Sequence, residues 1–185
     1  MADYYHVSNE PLPVGTQLEC KFFNRDTAPQ YLHVVEDAAN IGPAALRVLM
    51  LAEELMALKG WGKAMAGPAY RELVYEAVRK AEFQSRPSRL SSVFLFEDAD
   101  AADRFRSKYR EGKGVILVCT IESAEAFRTD MNLLARADVH SADAGREMLA
   151  EAARAYWSAS MSGDPWPEVL VSGRVVVSGQ HVAPL

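Results

Sequence analysis

The side chains best suited to chemistry are few and widely spaced: His6 near the start, Arg86 and Arg89 in a Ser-rich turn, Asp130, and Glu168 behind Pro165-Trp166-Pro167. Arg86-Pro87-Ser88-Arg89-Leu90-Ser91-Ser92 combines guanidinium groups with hydroxyls. Such a stretch either holds phosphate through forked, charge-assisted hydrogen bonds or forms a solvated turn. A neutral imidazole donates through one nitrogen and accepts through the other, so His6 suits a ribose hydroxyl or a buried, hydrogen-bonded strand position. Glu168 is either a working carboxylate or the solvated start of a strand, and Asp130 either an accessory acid or the cap of a local turn. GxxxxGK[ST], GxSxG and HExxH are missing, and His6, His33, His140 and His181 are too scattered for a metal-ligand pattern, so no metal is expected.

The elements that must position these groups are legible in part. Val93-Phe94-Leu95-Phe96 is a short β-branched and aromatic run behind turn residues, which predicts a strand buried on both faces. Asp98 then caps a helix running through Arg110, with Ala101, Ala102, Phe105 and Tyr109 at helical spacing. Gly112-Lys113-Gly114 stops it, and Val115-Ile116-Leu117-Val118-Cys119 predicts the next strand, giving a strand-helix-strand unit with a basic lead-in.

Upstream, Tyr4-Tyr5-His6-Val7 predicts a strand, and the crowd of Ser8, Asn9, Pro11, Pro13 and Gly15 predicts a turn into a second short element over Thr16-Cys20. Residues 21 to 42 read either as two strand fragments or as a folded loop. Pro43 opens a helix striped by Val48, Leu51, Leu55 and Leu58, which Gly60 ends. Gly60 to Gly67 reads as a helix-helix connection, because a dinucleotide glycine loop needs a preceding strand. Pro68 opens a second helix with Tyr70, Leu73, Val74, Ala77, Val78 and Ala81 on one face. Ser123 to His140 reads as less regular. A last helix from about Asp143 carries Met148, Leu149, Ala152, Ala153, Tyr156 and Trp157 on one face. After a turn over Ser160 to Pro167, Glu168-Val171 and Val175-Val177 form one bent strand or two paired strands.

With 185 residues, 49% of them hydrophobic and 24% charged, the chain is long and apolar enough for one compact domain and too apolar for disorder. A net charge of −5 leaves no general basic footprint for duplex nucleic acid, although a local basic groove is compatible with it. Cys20 and Cys119 lie in no CxxC pair and are expected as reduced thiols of a cytoplasmic protein. No apolar run approaches the ~20 residues of a membrane helix, and the N-terminus has no signal-peptide pattern.

In their order, these pieces resemble the ADP-ribosyltransferase superfamily, especially its diphtheria-toxin-like branch, in which His, Tyr and Glu on separate strands of a split β-structure surround NAD. Tyr5-His6-Val7-Ser8 followed by Pro13-Val14-Gly15-Thr16-Gln17-Leu18 looks like the opening of the small rifamycin-modifying members. Phe94-Leu95-Phe96-Glu97-Asp98 with Ala99, Ala101 and Ala102 is similar to the family's strand and following helix, Gly114 to Val118 to its next strand, and Pro167-Glu168-Val169-Leu170-Val171 with Val175-Val177 to its terminal Glu strand. The Tyr-His opening and the Arg-x-x-Ser-Val-Phe strand also resemble a family of uncharacterised bacterial proteins in that superfamily.

The resemblance implies an α+β fold: a split β-sheet core in a single domain over 1–185, with two inserted helices around 43–82 and a further C-terminal helix. It implies NAD as substrate, no metal, and transfer of ADP-ribose to a protein, nucleic-acid or small-molecule acceptor with release of nicotinamide. His6 would bond the adenosine ribose and carboxamide side of NAD. Glu168 would bind the nicotinamide ribose and stabilise the oxocarbenium-like centre that forms as nicotinamide leaves. The chain departs from the family at the Tyr, whose position falls on Leu95 or Phe94; the aromatic platform would then come from Phe94, Phe96, Tyr109 or Trp166. Arg89 suits the pyrophosphate, with Ser91 beside it; Asp130 and Arg86 are accessory or acceptor candidates. A catalytically inactive interaction module and an NAD glycohydrolase are the alternatives, the first suggested by the missing Tyr.

Overall fold

A computed structural model describes residues 2–19, 63–135 and 142–181. In chain order the elements are β1 (Tyr4–Ser8), β2 (Gln17–Leu18), α1 (Lys63–Glu82), a 3-10 turn (Arg89–Ser91), β3 (Val93–Leu95), α2 (Ala99–Arg110), β4 (Val115–Asp130), α3 (Asn132–Ala135), α4 (Ala142–Trp157) and β5 (Pro167–His181). The fold is mixed α+β. The chain divides into two compact units, one of Met1–Cys20, Pro87–Met131 and Gly163–Leu185, the other of Lys21–Arg86 and Asn132–Ser162. The expected helix from Pro43 and the undecided stretch 21 to 42 lie outside the described residues.

The first unit is built on the β4–β5 ladder, antiparallel from Ile116↔His181 to Asp130↔Pro167. Its register shifts between Val118 and Cys119 and between Ile121 and Ser123, the kind of irregularity that bends a strand and increases its twist. Antiparallel β1 lies along the first part of β4, while β2 and β3 both pair antiparallel with β5, at Val175–Val176 and Val169–Val171. The ends of this path meet, because Tyr5 and Phe96 exchange backbone hydrogen bonds of 2.9 and 2.8 Å. A flat sheet cannot bring strands from its two margins together. This one therefore curls around a cluster that contains Leu18, Val93, Leu95, Leu117, Cys119, Val169, Val171, Val175 and Val177. On the other register face Val7, Phe96, Ala102, Ile116 and Trp166 pack with Phe105 of α2.

Local chemistry accounts for the boundaries of α2. The Asp98 carboxylate accepts the Ala101 N–H at 2.6 Å, and Glu111 takes up the left-handed conformation that closes the helix, its N–H donating to the Arg106 carbonyl. Gly114, with φ +92°, follows; a Cβ there would run into the Ser8 carbonyl, so only glycine lets the start of β4 lie against the end of β1.

In the second unit α1 packs with α4. Tyr75 is fully buried, donates its hydroxyl to the Leu133 carbonyl at 3.0 Å, and sits edge-on to Tyr156 with centroids 5.4 Å apart. Trp157 Nε1–H donates to the Tyr75 carbonyl at 2.8 Å. The Arg79 guanidinium bonds both Glu76 oxygens and the Arg86 carbonyl, holding the chain just past the helix.

Several expectations are corrected. The helix begins at Lys63 rather than at Pro68, so Pro68 lies within it and the last part of the expected Gly60 to Gly67 connection is helical. The strand after α2 does not stop at Cys119 but runs to Asp130, with buried Phe127 and Thr129 alternating with exposed Ala126 and Arg128. In the strand-helix-strand unit β3 pairs with β5 and not with β4, and its Phe94 is only half-buried. Met148 is 52% exposed, off the apolar face assigned to it. Of the two readings left open for the C-terminal segment, the single strand stands, continuous from Pro167 to His181.

Candidate functional site

The Ser-rich turn organises itself before it positions anything else. The Ser88 hydroxyl oxygen accepts the Leu90 N–H at 3.2 Å, and Ser92 donates its hydroxyl to the Ser88 carbonyl at 2.7 Å. Stitched in this way, the turn sends Arg89 inward and leaves Ser91 exposed. Arg89 Nη1 meets Glu168 Oε1 at 2.7 Å, with side-chain exposures of 5% and 3%, so the bridge is sheltered from water. The guanidinium also lies over the Phe94 ring, 4.7 Å from its centroid. Phe94 faces Leu170 across the β3–β5 ladder, and Glu168 is two residues along β5 on the same face. Period-two alternation thus places Phe94 and Glu168 side by side under one cation.

β4 supplies the other wall. Thr129 stands opposite Glu168 and Asp130 opposite Pro167, and both are fully buried. Asp130 Oδ1 accepts the Trp166 N–H at 2.9 Å while Met131 N–H donates to the Trp166 carbonyl at 2.9 Å. Together these bonds clamp the chain immediately before Glu168.

His6 enters from β1. Its register partner is Leu117, and its Nδ1 lies 2.9 Å from the Phe94 carbonyl oxygen, the geometry of an Nδ1–H donor. That tautomer leaves Nε2 as the acceptor. Burial pushes the His6 pKa below 6.5; the bond to Phe94 opposes this and the nearby Arg110 charge adds to it, so the ring is neutral at pH 7. His6 touches the array through the Phe94 backbone and the Arg89–Glu168 bridge lies over the Phe94 ring, making Phe94 the joint between them.

The remaining candidates disperse. Leu95 is fully buried in the strand cluster, and Phe96 packs on Phe105 with centroids 5.5 Å apart. Arg86 is exposed and belongs to the second unit. Tyr109 and Trp166 stack at 5.9 Å and 23°, with the Arg104 guanidinium 4.5 Å and the Lys108 ammonium 5.3 Å from the Trp166 ring. Two features escaped the sequence reading. The Arg89–Glu168 pair joins residues 79 apart, and nothing in either segment announces the other. The second is the pair of cations over Trp166, and here the i, i+4 spacing of Arg104 and Lys108 on one helix face was an available signal.

Chemically, the array offers a desolvated guanidinium for an anion, a carboxylate able to stabilise positive charge, and a neutral imidazole. Among the described residues no three His, Cys, Asp or Glu side chains converge as a metal site. Cys119 is no nucleophile, because burial pushes its thiol up to about 12. No helix among the described residues is long and apolar enough to cross a membrane.

A family model described as a protein of unknown function (DUF2441) matches residues 22–182. Nothing among the curated proteins matches the chain.

Proposed function

Because the chain belongs to the DUF2441 family of proteins of unknown function, its activity has to be argued from its residues, and we propose that it is an NAD-dependent ADP-ribosyltransferase. What carries the reading is the contiguous array of His6, Phe94, Arg89 and Glu168, drawn from three strands far apart in sequence and the turn that leads into one of them. His6 and Glu168 stand at the positions where the sequence resembles the His and Glu of the ADP-ribosyltransferase superfamily; Phe94 stands where that family has Tyr, and Arg89 is added for its chemistry. In this reading the curled sheet corresponds to that family's split β-structure, and Phe94 is the aromatic surface in place of the missing Tyr. His6 bonds ribose through Nε2, Arg89 takes the pyrophosphate, and Glu168 faces the ribose carbon from which nicotinamide departs. A carboxylate there acts on charge that exists only in the transition state, which is where electrostatic stabilisation raises the rate. ADP-ribose then passes to a protein, nucleic-acid or small-molecule acceptor.

A specific observation favours a second reading. Glu168 is 2% exposed and committed to Arg89, which suits a binding or interaction module that keeps the architecture without the chemistry. The test is NAD carrying label in its adenylate half, incubated with purified protein and cell lysate. Label that moves to lysate material supports the transferase. Free ADP-ribose without transfer indicates an NAD glycohydrolase, and an absence of both turnover and NAD binding indicates the module.

A further inference from the structure

We infer that one side of α2, where Arg104, Lys108 and Tyr109 gather around Trp166, binds single-stranded nucleic acid, with phosphates on the two cations and a base extending the Tyr109 stack. The inference does not rest on the NAD reading and goes beyond it.

The cations of α2 divide between two sides of the helix. Spacing of i, i+4 sets Arg106 and Arg110 together, and there Arg106 pairs with Asp103 and reaches the Gly114 carbonyl while Arg110 donates to the Asn9 side chain. Arg104 and Lys108 share the opposite side, over the Trp166 ring. Their charge is barely offset. Among the described residues Lys108 sits over the rings of Tyr109 and Trp166 and in no ion pair, and Arg104 reaches one carboxylate, Asp164, at 3.8 Å across an exposed surface where such contacts are weak. Like charges at this spacing repel one another, whereas a phosphate bound beside them is attracted to both.

The aromatic half of the site is built in advance. Trp166 is buried, its Nε1–H donating to the Ala101 carbonyl at 3.3 Å and its backbone N–H held by Asp130. Tyr109 stacks on it and is still 49% exposed, so a planar base can continue the stack. Cations beside an open ring are how single strands are held without sequence preference. A duplex keeps its base faces covered and calls for a broad basic surface, which a net charge of −5 does not supply. An acidic peptide would satisfy the cations and leave the ring unused.

The experiment is fluorescence anisotropy of labelled single-stranded DNA and RNA of about twelve nucleotides, the matching DNA duplex and a labelled oligo-glutamate, each titrated with protein at about 50–200 mM salt. The variants are Arg104→Gln/Lys108→Gln, Tyr109→Leu and the charge-matched control Arg110→Gln/Lys113→Gln, all at exposed positions. The wild type is expected to bind the single strands, and a preference for RNA or DNA identifies the strand. Arg104→Gln/Lys108→Gln should bind them at least about tenfold more weakly and lose about 1.4 from the slope of log K against log salt, ~0.7 for each phosphate released. Tyr109→Leu should keep the slope and lose about five- to tenfold in affinity, the share of one stacked base. The control should stay within about threefold of the wild type, since its cations face away from Trp166. A wild type that binds no single strand overturns the site. So does a control that loses as much as Arg104→Gln/Lys108→Gln, which would report general positive charge, or a Tyr109→Leu that binds undiminished. Duplex or oligo-glutamate bound as tightly as the single strands would overturn the assignment to single-stranded nucleic acid.

Discussion

Replacing Arg89 with Met leaves the Glu168 carboxylate buried beside Phe94 with its cation gone. Losing one member of a buried, hydrogen-bonded ion pair costs about 3–5 kcal/mol, and that is the expected deficit of Arg89→Met. Adding Glu168→Leu removes the stranded charge, and the double variant should be more stable than Arg89→Met alone. Urea unfolding of the wild type, both single variants and the double variant, followed by circular dichroism at about pH 7, supplies the complete cycle. A cost below about 1 kcal/mol for Arg89→Met, or losses that simply add in the double variant, would refute the claim that the bridge is a sheltered, coupled pair.

Other perturbations probe the supports. Because burial lowers the His6 pKa from 6.5, the unfolded chain binds the extra proton first; the stability that neutral His6 provides is complete above about pH 6.5 and is lost as pH falls through its folded pKa. Melting temperatures should therefore decline less on acidification in His6→Gln than in the wild type. Asp130→Ala strands the buried Trp166 N–H and should cost about 1–3 kcal/mol in urea unfolding, whereas Asp130→Asn, which keeps an acceptor oxygen, should cost less. Gly114→Ala combines a φ of +92° with a collision at the Ser8 carbonyl, and should lower the melting temperature more than Gly112→Ala, where the added Cβ meets nothing.

Where a segment declared its own structure, the sequence was sufficient. The Asp98 cap, the apolar spacing of α2 and the turn at Pro11–Gly15 are local signals, and those elements stand where they were expected. The second half of β4 was missed because its buried residues among those described are Phe127, Thr129 and Asp130, of which one is apolar, so the pattern was too polar to stand out. The site divides in the same way. His6, Arg89, Phe94 and Glu168 were each recognisable by residue type and order. The partnership of Arg89 with Glu168 was not, because Pro-Ser-Arg-Leu-Ser-Ser reads alone as a solvated turn and only the pairing of β3 with β5 carries it to a carboxylate. Burial of a charged residue is decided by its partner, and here that partner is 79 residues away.

The most direct test of the proposed activity is nicotinamide release from NAD by the purified wild type beside Glu168→Gln. Steady release by the wild type that Glu168→Gln abolishes, while still binding ADP-ribose, is the expected result. Release that survives Glu168→Gln undiminished, or a wild type that neither releases nicotinamide nor binds NAD, would contradict the assignment.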